Sequence, residues 1–88
     1  MSQTIFKYPL IVDGNQKVLM PKGAKIISLQ TQNDVPCIWA IVGTDSEIEE
    51  RHFKTVATGG NIRNNFAQYI GTYLLNNGNF VGHVFECT

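Results

Sequence analysis

Residues 69–86 read YIGTYLLNNGNFVGHVFE and hold the strongest turn signal in the chain. Residues 69–75 are rich in the aromatic and branched side chains that favour strands. Residues 76–79 are Asn-Asn-Gly-Asn, which tolerate the backbone angles of a tight reversal. From Phe80 to Glu86 the side chains again alternate between two faces. The stretch therefore predicts an antiparallel hairpin whose second strand closes a sheet.

Similar breaks divide the rest of the chain into short strand-forming runs. They fall at Asp13-Gly14, Pro21-Lys22-Gly23, Asn33-Asp34, Gly59-Gly60 and Asn76-Asn77-Gly78. Each break supplies residues that tolerate a positive φ or preset a turn, and the break at Pro21 fits a turn with proline second and glycine fourth. We predict an all-β fold, in which an antiparallel meander of about six or seven strands pairs as local hairpins and forms a small sandwich or barrel.

Two segments indicate an edge strand and a central strand. Residues 4–10 alternate between two faces, and Pro9 has no N–H to donate to a ladder, so this strand belongs at an edge. Residues 35–42 are almost wholly apolar, which predicts a central strand that is covered on both faces. Trp39 is therefore expected in the core, and Cys37 is expected to be buried.

Two other segments are less regular. Residues 44–50 hold four of the seven acidic side chains, and we interpret them as a solvated loop before a strand from Arg51 to Ala57. From Asn61 onward apolar residues recur at helical spacing, which leaves a short helical turn near Arg63–Gln68 open. From Tyr69 the density of strand-forming residues favours a strand.

Length and charge limit the class of protein. The chain has 88 residues, 43% of them hydrophobic, and a formal net charge of +0, so we expect a single globular domain over residues 1–88. Zero net charge disfavours binding of duplex nucleic acid, which needs many phosphate contacts. A small nucleotide needs only one or two positive groups and stays compatible with this composition. Because a chain of this size has a small core, we also expect a homo-oligomer.

Residues that support metal or nucleophile chemistry are few and scattered. They are Cys37, His52, His83 and Cys87. None of them form the close pairs of a structural zinc site, so we expect no metal, no cofactor and two histidines that make ordinary hydrogen bonds. The sequence offers no convincing acid–base pair beyond His52 near Glu49 or Glu50, so we do not expect an enzyme. With no apolar run long enough for a membrane span and no secretion signal, we expect a cytoplasmic protein without a membrane partner.

The best candidate for a binding loop lies between the fifth and sixth predicted strand runs. It comprises Thr58, Gly59, Gly60, Asn61 and Arg63. Consecutive glycines let backbone N–H groups converge on an anion, and Arg63 supplies a charge-assisted hydrogen bond. The alternative interpretation of the same glycines is a tight connection between two strands.

Aromatic side chains on either side of this loop offer a second route to binding. They are Phe53, Phe66, Tyr69 and Tyr73. Such rings either pack in the core or stack on a base or a partner protein, and we expect one or two to be left for a ligand or a subunit interface. We assign Tyr69 to the predicted ligand-binding residues together with the loop.

Several segments carry a family resemblance. They are Ile5–Leu10, Met20–Ile26, Pro36–Ala40, Thr58-Gly59, Tyr69–Thr72 and His83–Glu86. Through these segments, which span nearly the whole chain, the sequence resembles a group of small uncharacterised proteins found widely in bacteriophage and prophage genomes, a phage-type domain of unknown function. The resemblance implies a small accessory protein of the host bacterial cytoplasm that acts by binding rather than catalysis.

In its sharpest form the resemblance implies an anti-defence protein. An oligomer would sequester a nucleotide immune messenger, with Gly59, Gly60 and Arg63 on its phosphates and Tyr69 on a base. One alternative is a protein-interaction module that inhibits a host protein through an edge strand or an apolar patch. Another is a structural accessory protein of the phage. The predicted partner is therefore a small nucleotide-type ligand or a host protein.

Overall fold

A computed structural model describes residues 2–12, 14–62 and 66–87, except for the side chains of Phe66 and Ala67. Its strands are β1 (Gln3–Pro9), β2 (Asn15–Pro21), β3 (Lys25–Gln32), β4 (Val35–Gly43), β5 (Ile48–Ala57), β6 (Phe66–Leu75) and β7 (Phe80–Cys87). A single 3-10 turn, Asn76–Gly78, joins the last two strands. The predicted all-β class, the strand from Tyr69 and the final hairpin are confirmed.

The strands form two antiparallel sheets rather than a closed barrel. One sheet has three strands in the order β1-β4-β3, and the other has four in the order β2-β5-β7-β6. Both sheets contribute to one buried cluster, which consists of Leu10, Met20, Ala24, Ile38, Ala40, Val42, Phe53, Tyr73, Leu75 and Val84. We call the face of each sheet that carries these side chains its inner face, and the opposite face its outer face. Within the described ranges, no helix is long and apolar enough to cross a membrane.

Only part of the pairing is local, so the predicted meander needs correction. β3 pairs with β4 through Asn33-Asp34, and β6 pairs with β7, as expected for hairpins. In contrast, β1 pairs with β4, β2 pairs with β5, and β5 pairs with β7. The connections after β1 and β2 carry the chain from one sheet to the other, because each sheet needs the other to cover its apolar face. Turn-forming residues alone do not distinguish such a crossover from a hairpin.

The turn after β2 has a different frame from the predicted one. Ala24 N donates to Pro21 O over 3.1 Å, and Gly23 has a φ of +82°, so Pro21 is the first residue of the turn and Gly23 the third. Pro21 is still paired in β2, opposite Ile48. Because Lys22 N donates to Glu47 O, the nitrogen of Pro21 faces away from β5, toward the open edge of the sheet, and the proline removes no ladder hydrogen bond. The strand can therefore continue through Pro21, and the turn begins one residue later than predicted.

The predicted edge and central strands are confirmed, whereas the position of Trp39 is corrected. β1 lies at an edge, and β4 lies in the middle of its sheet with Ile38 fully buried on the inner face. Trp39 is on the outer face and is only half-buried, because no second layer covers that side. Cys37, on the same face, is buried as predicted, and a hydrogen bond of 2.7 Å from Lys7 Nζ to Gln32 Oε1 spans β4 there.

The irregular segments also differ from expectation. β5 begins at Ile48, so Glu49 and Glu50 are strand residues rather than loop residues. Their backbone pairs with β2, and Glu49 Oε2 accepts a hydrogen bond of 3.3 Å from Gly23 N, which gives this carboxylate a partner. Of the segment left open as a helical turn, residues 63–65 lie outside the described residues and residues 66–68 belong to β6, so the prediction is wrong for that part.

Candidate functional site

The predicted binding loop is a tight turn between β5 and the segment that leads to β6. Gly60 N donates to Ala57 O over 2.8 Å, and Gly59 has a φ of +89°. A Cβ at Gly60 would lie 3.0 Å from Ala57 O, so the backbone is closely packed. Thr58 N donates to Val81 O over 3.3 Å. The amides of Thr58 and Gly60 are therefore occupied within the chain and do not point at a common anion.

This turn lies beside Tyr69 and encloses a cleft on the outer face of the four-stranded sheet. We call it the Tyr69 cleft. It has a volume of about 290 Å³ and is lined by Val56, Ala57, Thr58, Gly59, Gly60, Ile62, Tyr69, His83 and Phe85. The sheet brings these residues together through its register, because Val56 is paired with His83 and Tyr69 is paired with Phe85. Four of the six predicted ligand-binding residues thus share one cavity.

The base of the Tyr69 cleft is apolar. Val56 and Phe85 are only 8% and 9% exposed, although they lie on the outer face of the sheet. The Tyr69 ring packs at an angle of 57° to the ring of Phe85, with 5.5 Å between their centroids. Tyr69 remains 54% exposed, so much of its side chain is open to a ligand. The cleft therefore offers an aromatic wall above an apolar base, which is the chemistry that holds a planar ring.

One polar edge of the cleft is a chain of three hydrogen bonds. Thr58 Oγ1 lies 2.7 Å from His83 Nε2, His83 Nδ1 lies 3.0 Å from Thr72 Oγ1, and Thr72 Oγ1 lies 2.5 Å from Tyr69 Oη. A neutral imidazole donates through one ring nitrogen and accepts through the other. The hydroxyl groups must therefore point the same way along the chain, and either direction leaves one end free to donate and the other free to accept. Thr58 and Tyr69 are those two ends.

The remaining predicted residues are placed as follows. Asn61 is exposed next to the turn but is not part of the lining. Arg63 lies outside the described residues, as does the side chain of Phe66. Phe53 and Tyr73 are 1% and 3% exposed, so for these two rings core packing is confirmed. No group of three or more His, Cys, Asp or Glu side chains that could hold a metal ion occurs in the described part of the chain.

Two polar residues of the site were not selected from the sequence. His83 was expected only to make ordinary hydrogen bonds, which it does, and Thr72 was not singled out. Period-two alternation already placed His83 on the same face as Phe85. The pairing of β5 with β7 brings His83 next to Thr58, and this pairing could not be predicted from the sequence.

A second cleft lies on the other side of Tyr69, where the start of β3 passes the end of the four-stranded sheet. We call it the Lys25 cleft. It has a volume of about 400 Å³ and is lined by Ala24, Lys25, Ile26, Ile27, Ser28, Arg51, Gln68, Tyr69, Ile70 and Glu86. The two sheets approach closely here, since a Cβ at Gly71 of β6 would lie 3.0 Å from Leu29 Cδ2 of β3. Because Tyr69 belongs to both linings, the two clefts meet at this residue.

A paired arginine forms the inner wall of the Lys25 cleft. Arg51 Nε and Nη2 donate to the two carboxylate oxygens of Glu86 over 2.6 and 2.8 Å, and Nη1 donates to Ala24 O over 2.5 Å. The hydrogen bond to Glu86 raises the pKa of Arg51 above its ordinary value, against a smaller opposing effect of burial. The guanidinium is therefore a permanent cation that is paired with Glu86 and is also attracted by the nearby Glu49 carboxylate.

Comparison with known proteins places the chain in a family without assigning an activity. Residues 1–88, the whole chain, match the family described as Domain of unknown function (DUF7352). Searches of curated proteins and of solved structures gave no match.

Proposed function

We propose that this protein, which belongs to the DUF7352 family, binds a small nucleotide-type ligand and holds the base of that ligand in the Tyr69 cleft. The protein works by stoichiometric binding rather than by turnover. One observation carries the proposal: the Thr58–Gly60 turn after β5, Tyr69 of β6 and His83 of β7, the strand between them, line the same cavity. Both an aromatic surface and a polar edge are present in that cavity.

The dimensions of the cleft favour a single ring system. A volume of about 290 Å³ lies just below the usual range for ligand pockets, which begins at about 300 Å³. A base stacked on the exposed Tyr69 ring would cover Val56 and Phe85. Its edge would meet Thr58 or Tyr69, one of which donates while the other accepts. Nucleobases carry both donors and acceptors on their edges and match this arrangement.

The loop contributes shape to this site rather than a phosphate cradle. The amides of Thr58 and Gly60 already donate to Val81 O and Ala57 O. The base-binding part of the proposal needs no phosphate contact at the loop. The positive φ of Gly59 keeps the turn tight enough to stand beside Tyr69.

Isothermal titration calorimetry tests the proposal. The ligands are AMP, GMP, CMP and UMP, together with cyclic di- and trinucleotides. We expect at least one of them to bind the wild-type protein at one site per chain. Tyr69→Ala should weaken its binding by about tenfold or more, because stacking of a base on an aromatic side chain contributes about 1–3 kcal/mol. A panel without measurable heat contradicts the proposal.

A matched variant separates loss of stacking from a general change in the protein. Phe6 is another exposed aromatic residue, 45% exposed on β1 of the other sheet, so Phe6→Ala should leave nucleotide affinity unchanged. Equal losses of affinity for Tyr69→Ala and Phe6→Ala would show that the ligand does not bind in the Tyr69 cleft. Mass spectrometry of the ligand after release by heat tests binding against turnover, and the ligand should be recovered intact.

The biological setting of this activity is a further part of the proposal. An origin in phage or prophage, suggested by the resemblance in sequence, would make the protein an anti-defence factor that sequesters a nucleotide signal of the host. This predicts that cyclic nucleotides bind more tightly than the four monophosphates. Expression of the protein in a bacterium that carries a cyclic-nucleotide immune system should then restore phage growth, and the Tyr69→Ala variant should not.

A further inference from the structure

The Lys25 cleft contains hydrogen-bond donors that the protein itself does not use. Lys25, Ser28 and Gln68 are among the residues that line it, and the side chain of none of them makes a hydrogen bond or an ion pair within the described part of the chain. They come from β3 and β6, two strands of different sheets. The residues of the lining thus include an ammonium, a hydroxyl and an amide that are unused within the chain.

The charges around this cleft favour an anion. Arg51 and Glu86 hold each other in a two-fold hydrogen-bonded pair, so the Glu86 carboxylate does not repel a negative group as a free carboxylate would. Lys25 adds a positive charge without a partner, so the lining residues carry one excess positive charge, whereas Glu49, which also attracts Arg51, is not part of the lining. An anion that entered would meet three unused donors in a partly enclosed space of about 400 Å³.

We propose that the Lys25 cleft binds the phosphate groups of the ligand whose base lies in the Tyr69 cleft. The inference rests on the proposed function and specifies its ligand: a nucleotide rather than a nucleoside, which passes over Tyr69 from one cleft to the other. The two clefts meet at Tyr69, so the base and the phosphates of one molecule lie on its two sides. The Lys25 cleft also supplies the phosphate contacts that the amides of Thr58 and Gly60 do not provide.

Paired ligands and paired variants test this inference. Calorimetry compares each of AMP, GMP, CMP and UMP with its nucleoside on wild-type protein, Lys25→Gln and Lys22→Gln. Lys22 is the matched control, because it is an exposed lysine of the neighbouring turn and does not line either cleft. Both side chains are exposed, so neither change disturbs the core.

In the wild type we expect a nucleotide to bind about tenfold or more tightly than its nucleoside, as one charge-assisted hydrogen bond allows. Lys25→Gln should remove most of that difference and leave nucleoside binding unchanged, whereas Lys22→Gln should change neither. Added salt should weaken nucleotide binding in the wild type more than in Lys25→Gln.

Three results would overturn the inference, and only the last of them would also overturn the proposed function. Nucleotides and nucleosides that bind equally well, or equal effects of Lys25→Gln and Lys22→Gln, contradict the phosphate site but leave base binding in the Tyr69 cleft intact. A panel in which neither nucleotides nor nucleosides bind contradicts both the phosphate site and the proposed function.

Discussion

The environment of Tyr73 shows how one glycine and one hydroxyl shape the core. The Tyr73 ring lies directly over Gly82 of β7, where a Cβ would come within 2.7 Å of the ring, so only glycine fits beneath it. The Tyr73 hydroxyl and that of Thr55 are buried without a well-formed hydrogen bond in the described chain. Burial raises the pKa of Tyr73 above its ordinary 10.0, and a weaker interaction with Thr55 lowers it by less.

This burial makes stability sensitive to alkaline pH. In the unfolded chain the phenol ionises near pH 10, while the folded chain keeps the proton to higher pH. The stabilisation that the neutral Tyr73 phenol contributes is therefore complete below pH 10, and it is lost as the pH rises through the raised pKa of the folded state. We expect Tyr73→Phe to flatten the decrease in unfolding free energy above pH 10, measured by urea titration. At pH 7 it should change stability by about 1 kcal/mol or less. Parallel decreases in both proteins would contradict this.

The strands show which features of the fold can be predicted from local sequence. The hairpin at Asn33-Asp34 was predictable because both residues adopt positive φ angles, 51° and 63°, which asparagine and aspartate tolerate. The pairing of β1 with β4 and of β2 with β5 was not, since it depends on which sheet each strand joins. The candidate site likewise could be predicted only in part. Thr58 and Tyr69 were selected from local patterns, whereas the role of His83 depends on the pairing of β5 with β7.

The hydrogen bonds of Arg51 link the two sheets, and we predict that this link stabilises the fold. Arg51 of β5 joins Glu86 of β7 to the carbonyl of Ala24, just before β3, and the two charged side chains are each 17% exposed. Arg51→Met would leave a partly buried carboxylate without its partner, and we expect a loss of about 2–4 kcal/mol of unfolding free energy. Glu86→Gln keeps the shape of the side chain and should lose less unfolding free energy than Arg51→Met. A loss below about 0.5 kcal/mol for Arg51→Met, the usual limit for surface substitutions, would show that the link is dispensable.

The two sheets bury their inner faces, but several apolar side chains stay exposed on the outer face of the three-stranded sheet, among polar side chains such as Lys7 and Gln32. On the outer face of the three-stranded sheet, Ile5 is 55% and Val35 is 40% exposed, and Trp39 and Ile41 are half-buried. Ile5 and Ile41 are paired across β1 and β4, so they form a short apolar strip that ends at Lys25 of β3. A chain with a net charge of +0 does not repel a second copy of itself.

We therefore predict that two copies associate through this outer face, as the small core of an 88-residue chain already led us to expect. Ile5→Lys puts a charge in the strip and should raise the dimer dissociation constant by about tenfold or more, since burial of an isoleucine side chain contributes about 1.5–3 kcal/mol. Leu19→Lys is the matched control, because Leu19 is 61% exposed on β2, an edge strand of the other sheet. Sedimentation equilibrium over a range of protein concentrations measures the dimer dissociation constants of the wild type and of both variants. A wild-type protein that stays monomeric throughout, or equal effects of the two lysines, would refute association through this face. Because the Tyr69 cleft lies on the other sheet, nucleoside affinity should be the same in the dimer and in the Ile5→Lys monomer.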